Sequence, residues 1–404
     1  MKKIFYFTFL LSTLSACHTV NRENKPIENL SWQEIEQNAK GKTVTFMMWQ
    51  GDPLINKYVQ EYVVPEVKKK HSITLNVVGG QGNAIVTTLM TEIEAGKKAS
   101  EVDMMWINGE TFFQLRQING LYGPFVERLP NNQFIDWESP FIKYDFQQEV
   151  NGYECPWGNV QLALIYNSEK VKSPPMDLVE LETWVKANPG KFTIGNDFTG
   201  MTLLKSWLTH LAGGAGSLDG KFAQEKYATH ASQLWAYLNR IKPYFWNQGK
   251  SFPVSVAQMH QLFANGEIWF TMSNNDSEVD NKILQGVFSE TSRAYIPSIG
   301  TIQNSHYIGI VNHSSNKEAA MVVCNFLISP QAQERKLHPN VWGDGTVLSI
   351  SKLTPEWQTK FKSISGKKYS PDRSSLQNKA IKEPAPEYMI KLFEDFRTHV
   401  MENK

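Results

Sequence analysis

Covalent staples, metal ligands and net charge are all scarce in this chain. Cysteine occurs three times in 404 residues, too few for a disulfide-built fold. The nine histidines form no His-x-His or HExxH spacing, so no dedicated metal site is expected. There is no GxSxG elbow and no P-loop. Gly80-Gln81-Gly82 begins a dinucleotide fingerprint, but Ile85 stands where its third glycine belongs. No cofactor is therefore expected. Basic and acidic side chains number 41 and 40, a formal charge of +1, which leaves no basic surplus for nucleic acid.

What is present is the composition of a globular protein, 41% hydrophobic and 20% charged, long enough for about two domains. The N-terminus carries a different signal. Lys2-Lys3, the apolar stretch Ile4 to Leu11 and Leu14-Ser15-Ala16-Cys17 have the order of a secretory leader, with an apolar run too short to span a bilayer. Residues 1–16 are read as a signal peptide. Leu-Ser-Ala-Cys resembles a bacterial lipobox, which makes Cys17 the expected lipidation site and residues 17–40 a polar tether. The body is thus expected in the periplasm or cell envelope, held to a membrane through lipid alone. Cys155 and Cys324 remain, and the sequence leaves open whether they pair.

Three units of strand, polar loop and helix open the body. Val44–Trp49 is followed by Gln50-Gly51-Asp52, Ile73–Val78 by Gly79–Asn83, and Val102–Ile107 by Asn108-Gly109-Glu110. Such a series predicts a parallel sheet with its polar loops along one edge. In the second half Phe192–Ile194 reads as a short strand before Asp197-Phe198-Thr199-Gly200. Ile268–Met272 reads as a buried strand that stops in Ser273-Asn274-Asn275-Asp276. Trp106 and Trp269 lie inside expected strands and are assigned to the core. Open α/β sheets bind ligands beyond the carboxyl ends of their strands. The acids at these ends, Asp52, Glu110, Asp197 and Asp276, suit either helix capping or a catalytic acid pair.

From Leu262 onward the order of motifs resembles the extracellular solute-binding proteins of ABC importers. The residues that carry it are Phe263-Ala264-Asn265-Gly266-Glu267-Ile268, Ser273-Asn274-Asn275, Ala294-Tyr295-Ile296-Pro297, Ser315–Ala320 and Ser329–Gln333. Upstream, Leu164–Val171 resembles the strand beyond the family's first hinge. Trp184–Gly190 and Asp197–Gly200 resemble its YnjB-like subgroup.

This resemblance implies an α/β, two-lobed type II periplasmic-binding fold with mostly parallel sheets. Lobe 1 is expected at 41–158 plus 299–345 and lobe 2 at 159–298 plus 346–404, with hinges at Gly158–Gln161 and Arg293–Ser298. It implies a small solute captured in the interlobe cleft and delivered to an ABC permease and its ATPase. The expected ligand residues are Trp49, Gln50, Asp52, Asn108, Glu110 and Trp157 from lobe 1, and Asp197, Phe198, Thr199, Asn274, Asn275 and Asp276 from lobe 2. Asp276 stands where sugar-binding members often carry an aromatic, and no Tyr-Tyr pair of the iron-binding kind occurs. Trp49, Trp157, Trp246 and Trp342 beside the acids suit an organic cation or a polyol. Two alternatives stay open: a periplasmic hydrolase using the cleft carboxylates, and an adhesion or scaffold lipoprotein of the same fold.

Overall fold

The computed structural model describes residues 25–364, 367–372 and 376–403. The leader and Cys17 lie outside them. The first lobe is built as its strand–loop–helix units predict. β1 (Thr43–Met48) pairs in parallel with both β2 (Thr74–Gly79) and β3 (Met104–Ile107). Val44, Phe46 and Met48 alternate inward from β1, the period of two that a strand imposes. β4 (Glu154–Gln161) and the long β8 (Thr301–Val311) extend this sheet antiparallel, so the sheet is mixed, with β1–β3 as its parallel block.

The second lobe holds a smaller sheet, β7-β5-β6, made of Ser292–Tyr295, Ala163–Asn167 and Phe270–Ser273, and both its pairings are antiparallel. The mostly parallel sheets expected of both lobes thus apply to neither sheet as a whole. The run Val160–Tyr166, continuous in the sequence, is split at Leu162 between β4 of one lobe and β5 of the other. That residue is the first crossing. The second is Ile296–Gly300, between β7 and β8. Later in the chain Lys368, Tyr369 and Ser370 bond Asp280 of lobe 2, and β9 (Ala380–Ile381) pairs in parallel with the start of β8 before the chain enters the helix Pro386–Phe396. The short strand expected at Phe192–Ile194 does not form.

Each lobe has its own core. Ile165, Leu204, Trp207, Leu238, Phe270 and Phe396 pack together in lobe 2, and Phe46, Met104, Cys155, Trp157, Ile308 and Val322 in lobe 1. Each such buried side chain contributes roughly 1.5–3 kcal/mol against exposure. Cys155 and Cys324 lie buried in this first core as free thiols.

Two expected boundaries shift. Val347, Leu348, Leu353 and Phe361, placed by sequence in lobe 2, pack in the lobe 1 core. The tether expected at 17–40 contains a helix, Trp32–Ala39, opened by a capping box. Ser31 Oγ accepts from the Glu34 amide, and the Glu34 carboxylate accepts from the Ser31 amide. Its Ile35 and Ala39 are fully buried in the lobe 1 core, so this stretch is part of the body.

Candidate functional site

The loops after β1 and β3 meet an aromatic floor on lobe 1. Trp106, in β3, stands at its centre. Its ring centroid lies 6.4 Å from Trp49, 5.1 Å from Trp157, 4.9 Å from His306 and 5.8 Å from Trp342. Trp106 is not the core residue its strand position suggests. It and Trp49 are half-buried and pack on the core from above. Trp157, expected at the ligand, lies one layer below. It is fully buried, and its Nε1 has no hydrogen-bond partner among the described residues. Its neighbour Gly158 has no room for a side chain, since a Cβ would lie 1.9 Å from Asp344 Oδ2 and 2.4 Å from His306 Nε2. Asp344 pairs with Lys336, and His306 Nε2 lies 3.2 Å from its Oδ2. Burial alone would raise this carboxyl, but His306 and Lys336 more than offset that and hold it below its ordinary value.

Lobe 2 offers the end of β6 and the start of the helix Phe198–Leu211. Asp197 caps that helix through the Gly200 amide at 2.9 Å, and burial raises its carboxyl despite the backbone bonds it accepts. Asn274 Nδ2 lies 3.1 Å from Thr199 Oγ1, so these two expected ligand groups are brought together. Phe198 is half-buried beside them. The Asn274 Oδ1 and Asn281 Oδ1 acceptors have no partner among the described residues. Asn275 forms the turn, its Oδ1 accepting from the Ser277 amide at 2.9 Å. Asp276 is fully buried, accepts from the Gln161 amide at 3.4 Å and pairs with Lys367.

The remaining lobe 1 residues are mostly engaged with their own backbone. Asp52 Oδ1 caps the helix Pro53–Tyr58, accepting from Leu54 at 2.8 Å and Ile55 at 3.1 Å. Its Oδ2 accepts from Lys282 Nζ of lobe 2 at 2.7 Å. Asn108 caps the helix Gly109–Gln117. Gln50 is exposed. Glu110 is half-buried and raised by that burial, with Lys205 acting in the opposite sense. Lys205 itself is fully buried and donates to Glu383, with its ammonium 4.1 Å above the Phe146 ring. At this end of the seam Phe141, Tyr144, Phe146, Gln303, Asn304 and Glu383 line a cavity of about 320 Å³. Trp246, counted with the aromatics of the sequence, instead bonds Glu267 at 3.1 Å on lobe 2. Lys282, Lys336, Lys367 and Lys205 escape sequence reading, because no local pattern marks a lysine as the partner of a distant acid.

Residues 62–362 match the family described as bacterial extracellular solute-binding protein. Protein YnjB of Escherichia coli K12 is 37% identical over 326 residues, which cover 80% of this chain and 84% of that one. Among solved structures, the spermidine/putrescine ABC transporter substrate-binding protein PotD of Streptococcus pneumoniae has a TM-score of 0.62 at 14% identity, covering 89% of this chain and 99% of that one. The Tp0655 lipoprotein of Treponema pallidum has a TM-score of 0.64 at 14% identity, with 89% and 100% covered. At these identities the structures establish likeness of fold. The chain belongs to the bacterial extracellular solute-binding proteins, and it is the solute-binding component of an ABC import system.

Proposed function

We propose that the solute is small, neutral and polyol-like, held between the Trp49–Trp106 floor and the Asn274–Thr199 edge. One observation carries this reading: three acids of the seam already hold internal lysines. Asp52 pairs with Lys282, Asp276 with Lys367 and Asp344 with Lys336. A bound organic cation would have to compete with a covalently tethered ammonium at each of these three carboxylates. What remains for a solute are half-buried indoles and a buried amide acceptor, Asn274 Oδ1, that has no partner among the described residues. These suit hydroxyl donors on a stacked apolar face. Capture brings the lobes together and presents the loaded protein to the permease and its ATPase. Cys17 is the lipid attachment that keeps the protein at the envelope membrane.

The same pairing favours binding over hydrolysis, because a general acid and its partner need carboxyls available to the substrate. The test is a thermal-shift screen of the full chain carrying Cys17→Ser, against polyols, sugars, polyamines and thiamine-like cations. A solute at a hundredfold its Kd adds about 2.7 kcal/mol of stability. Trp106→Ala should remove about 2 kcal/mol of that solute's binding, some thirtyfold in Kd. Responses confined to cations would overturn the polyol assignment, and no response from any class would count against capture itself.

A further inference from the structure

We infer that Lys282 and Asp52 form a clasp that holds the two lobes together, acting as positioning residues for capture and not as solute ligands. Asp52 divides its carboxylate between two tasks. Oδ1 caps its own helix in lobe 1, while Oδ2 receives Lys282 from lobe 2 at 2.7 Å. The cap fixes Asp52 whatever lobe 2 does, so the acid is a preformed receptor and Lys282 is the part that arrives. Both residues are almost fully buried, at 9% and 6% exposure. Charge pairing is strongest where water is excluded.

The contact is reinforced by the rest of the helix Glu278–Leu284. Asn281 Nδ2 donates to the Trp342 carbonyl, and Asn275 Nδ2 reaches the same oxygen at 3.5 Å. The helix seats against Gly343, which has φ +73 and whose missing Cβ would lie 3.0 Å from Asn281 Oδ1 and 3.2 Å from Ser277 Cβ. The positive φ favours glycine there, and a side chain would crowd Asn281 and Ser277. Glu278 also binds Lys282, at 3.1 Å, but from one turn away on the same helix. It orients the lysine without linking the lobes. The loop that carries Trp49 and Gln50 into the seam ends at Asp52, so engaging the clasp brings lobe 2 up to the edge of the aromatic floor.

The inference rests on capture by lobe closure, and its test needs no solute. Lys69→Cys in lobe 1 and Glu225→Cys in lobe 2 are both exposed positions. Spin labels there report the interlobe distance in the full chain carrying Cys17→Ser, while Cys155 and Cys324 are buried. Asp52→Asn keeps a capping oxygen and removes the charge. Lys282→Met keeps the aliphatic stem. Each should raise the population at long distance relative to short by about tenfold, the scale of one charge-assisted bond. The double variant should open no further than either alone. Glu278→Gln, the control within lobe 2, should leave the distances unchanged. Unchanged distances in Asp52→Asn and Lys282→Met, additive effects, or equal opening by Glu278→Gln would each overturn the clasp. Loss of the clasp with solute binding retained would leave the receptor function standing.

Discussion

Gly109 and Phe146 share one space: a methyl group on Gly109 would lie 2.2 Å from Phe146 Cδ2. Phe146 and Gln147, with φ of +46 and +63, form the tip of the hairpin that joins Tyr144–Asp145 to Gln148–Glu149. Neither residue type favours that conformation, and two-residue turns of this kind usually carry Asn-Gly. The hairpin base sits on β8 through Tyr307, whose hydroxyl donates to the Ile142 carbonyl at 3.0 Å. The tip enters the core of lobe 2, where Gln147 Nε2 bonds the Glu383 carbonyl at 2.6 Å. Gly109→Ala is expected to cost about 1–3 kcal/mol through overpacking, measured by chemical denaturation. Phe146→Leu in the same chain should recover part of it. A neutral Gly109→Ala would mean that the tip yields freely.

Asp276 separates the two solute classes. With Lys367 as its partner, it is expected to support structure and leave a polyol's binding nearly intact. Asp276→Ala should lower stability by about 1–3 kcal/mol, because a mostly buried ammonium loses its carboxylate. The solute-induced thermal shift should survive. Its complete loss, with the protein still folded, would instead point to a cationic solute.

His260 sets a pH dependence. The ring is buried, with Nε2 3.2 Å from the Met272 carbonyl and Glu278 3.9 Å from Nδ1. Burial first, and then Lys282, lower its pKa from 6.5 to about 4, while the Met272 carbonyl and Asp52 act the other way. Between pH 6.5 and 4 the unfolded chain therefore takes up a proton that the folded chain refuses. Stability should be complete above about pH 6.5 and fall as the pH drops, by up to about 3 kcal/mol. Glu278, raised by burial, contributes in the opposite sense. The His260 contribution is thus read as the difference between wild type and His260→Gln in melting temperature across that range. Parallel curves would refute it.

The helix Trp32–Ala39 should behave as part of the body. Ile35→Ala is expected to cost about 2–4 kcal/mol, since the side chain is fully buried against lobe 1. Ser31→Ala should cost about 1 kcal/mol through loss of the capping box. Amide exchange across residues 32–39 as fast as in an unstructured peptide would restore the tether reading.

Much of lobe 1 was legible because its signals are local. The alternation in β1, the polar loops after β1, β2 and β3, and the Asp-Pro start of the helix at Pro53 each lie within a few residues. The helix at Trp32 was equally local in origin: Ser31 with Glu34 is a capping box written in the sequence, and it was masked by the polar composition around it. The split at Leu162 was not local, because a continuous apolar run reads the same whether one sheet or two receives it. Nor was the membership of Val347 to Phe361 in lobe 1, since hydrophobicity marks a residue for burial without naming the core.

The sequence by itself determined the α/β architecture, the order of the family's motifs and the strand ends from which the seam is built. Only the tertiary structure decided what the acids there do. Asp52 meets Lys282 across 230 positions and Asp276 meets Lys367 across 91. It also decided that Trp157 lies beneath the floor while Trp106 surfaces in it. The physical reason is common to both outcomes: periodicity describes one element's faces, whereas charge pairing and exposure depend on which distant elements the fold sets against them.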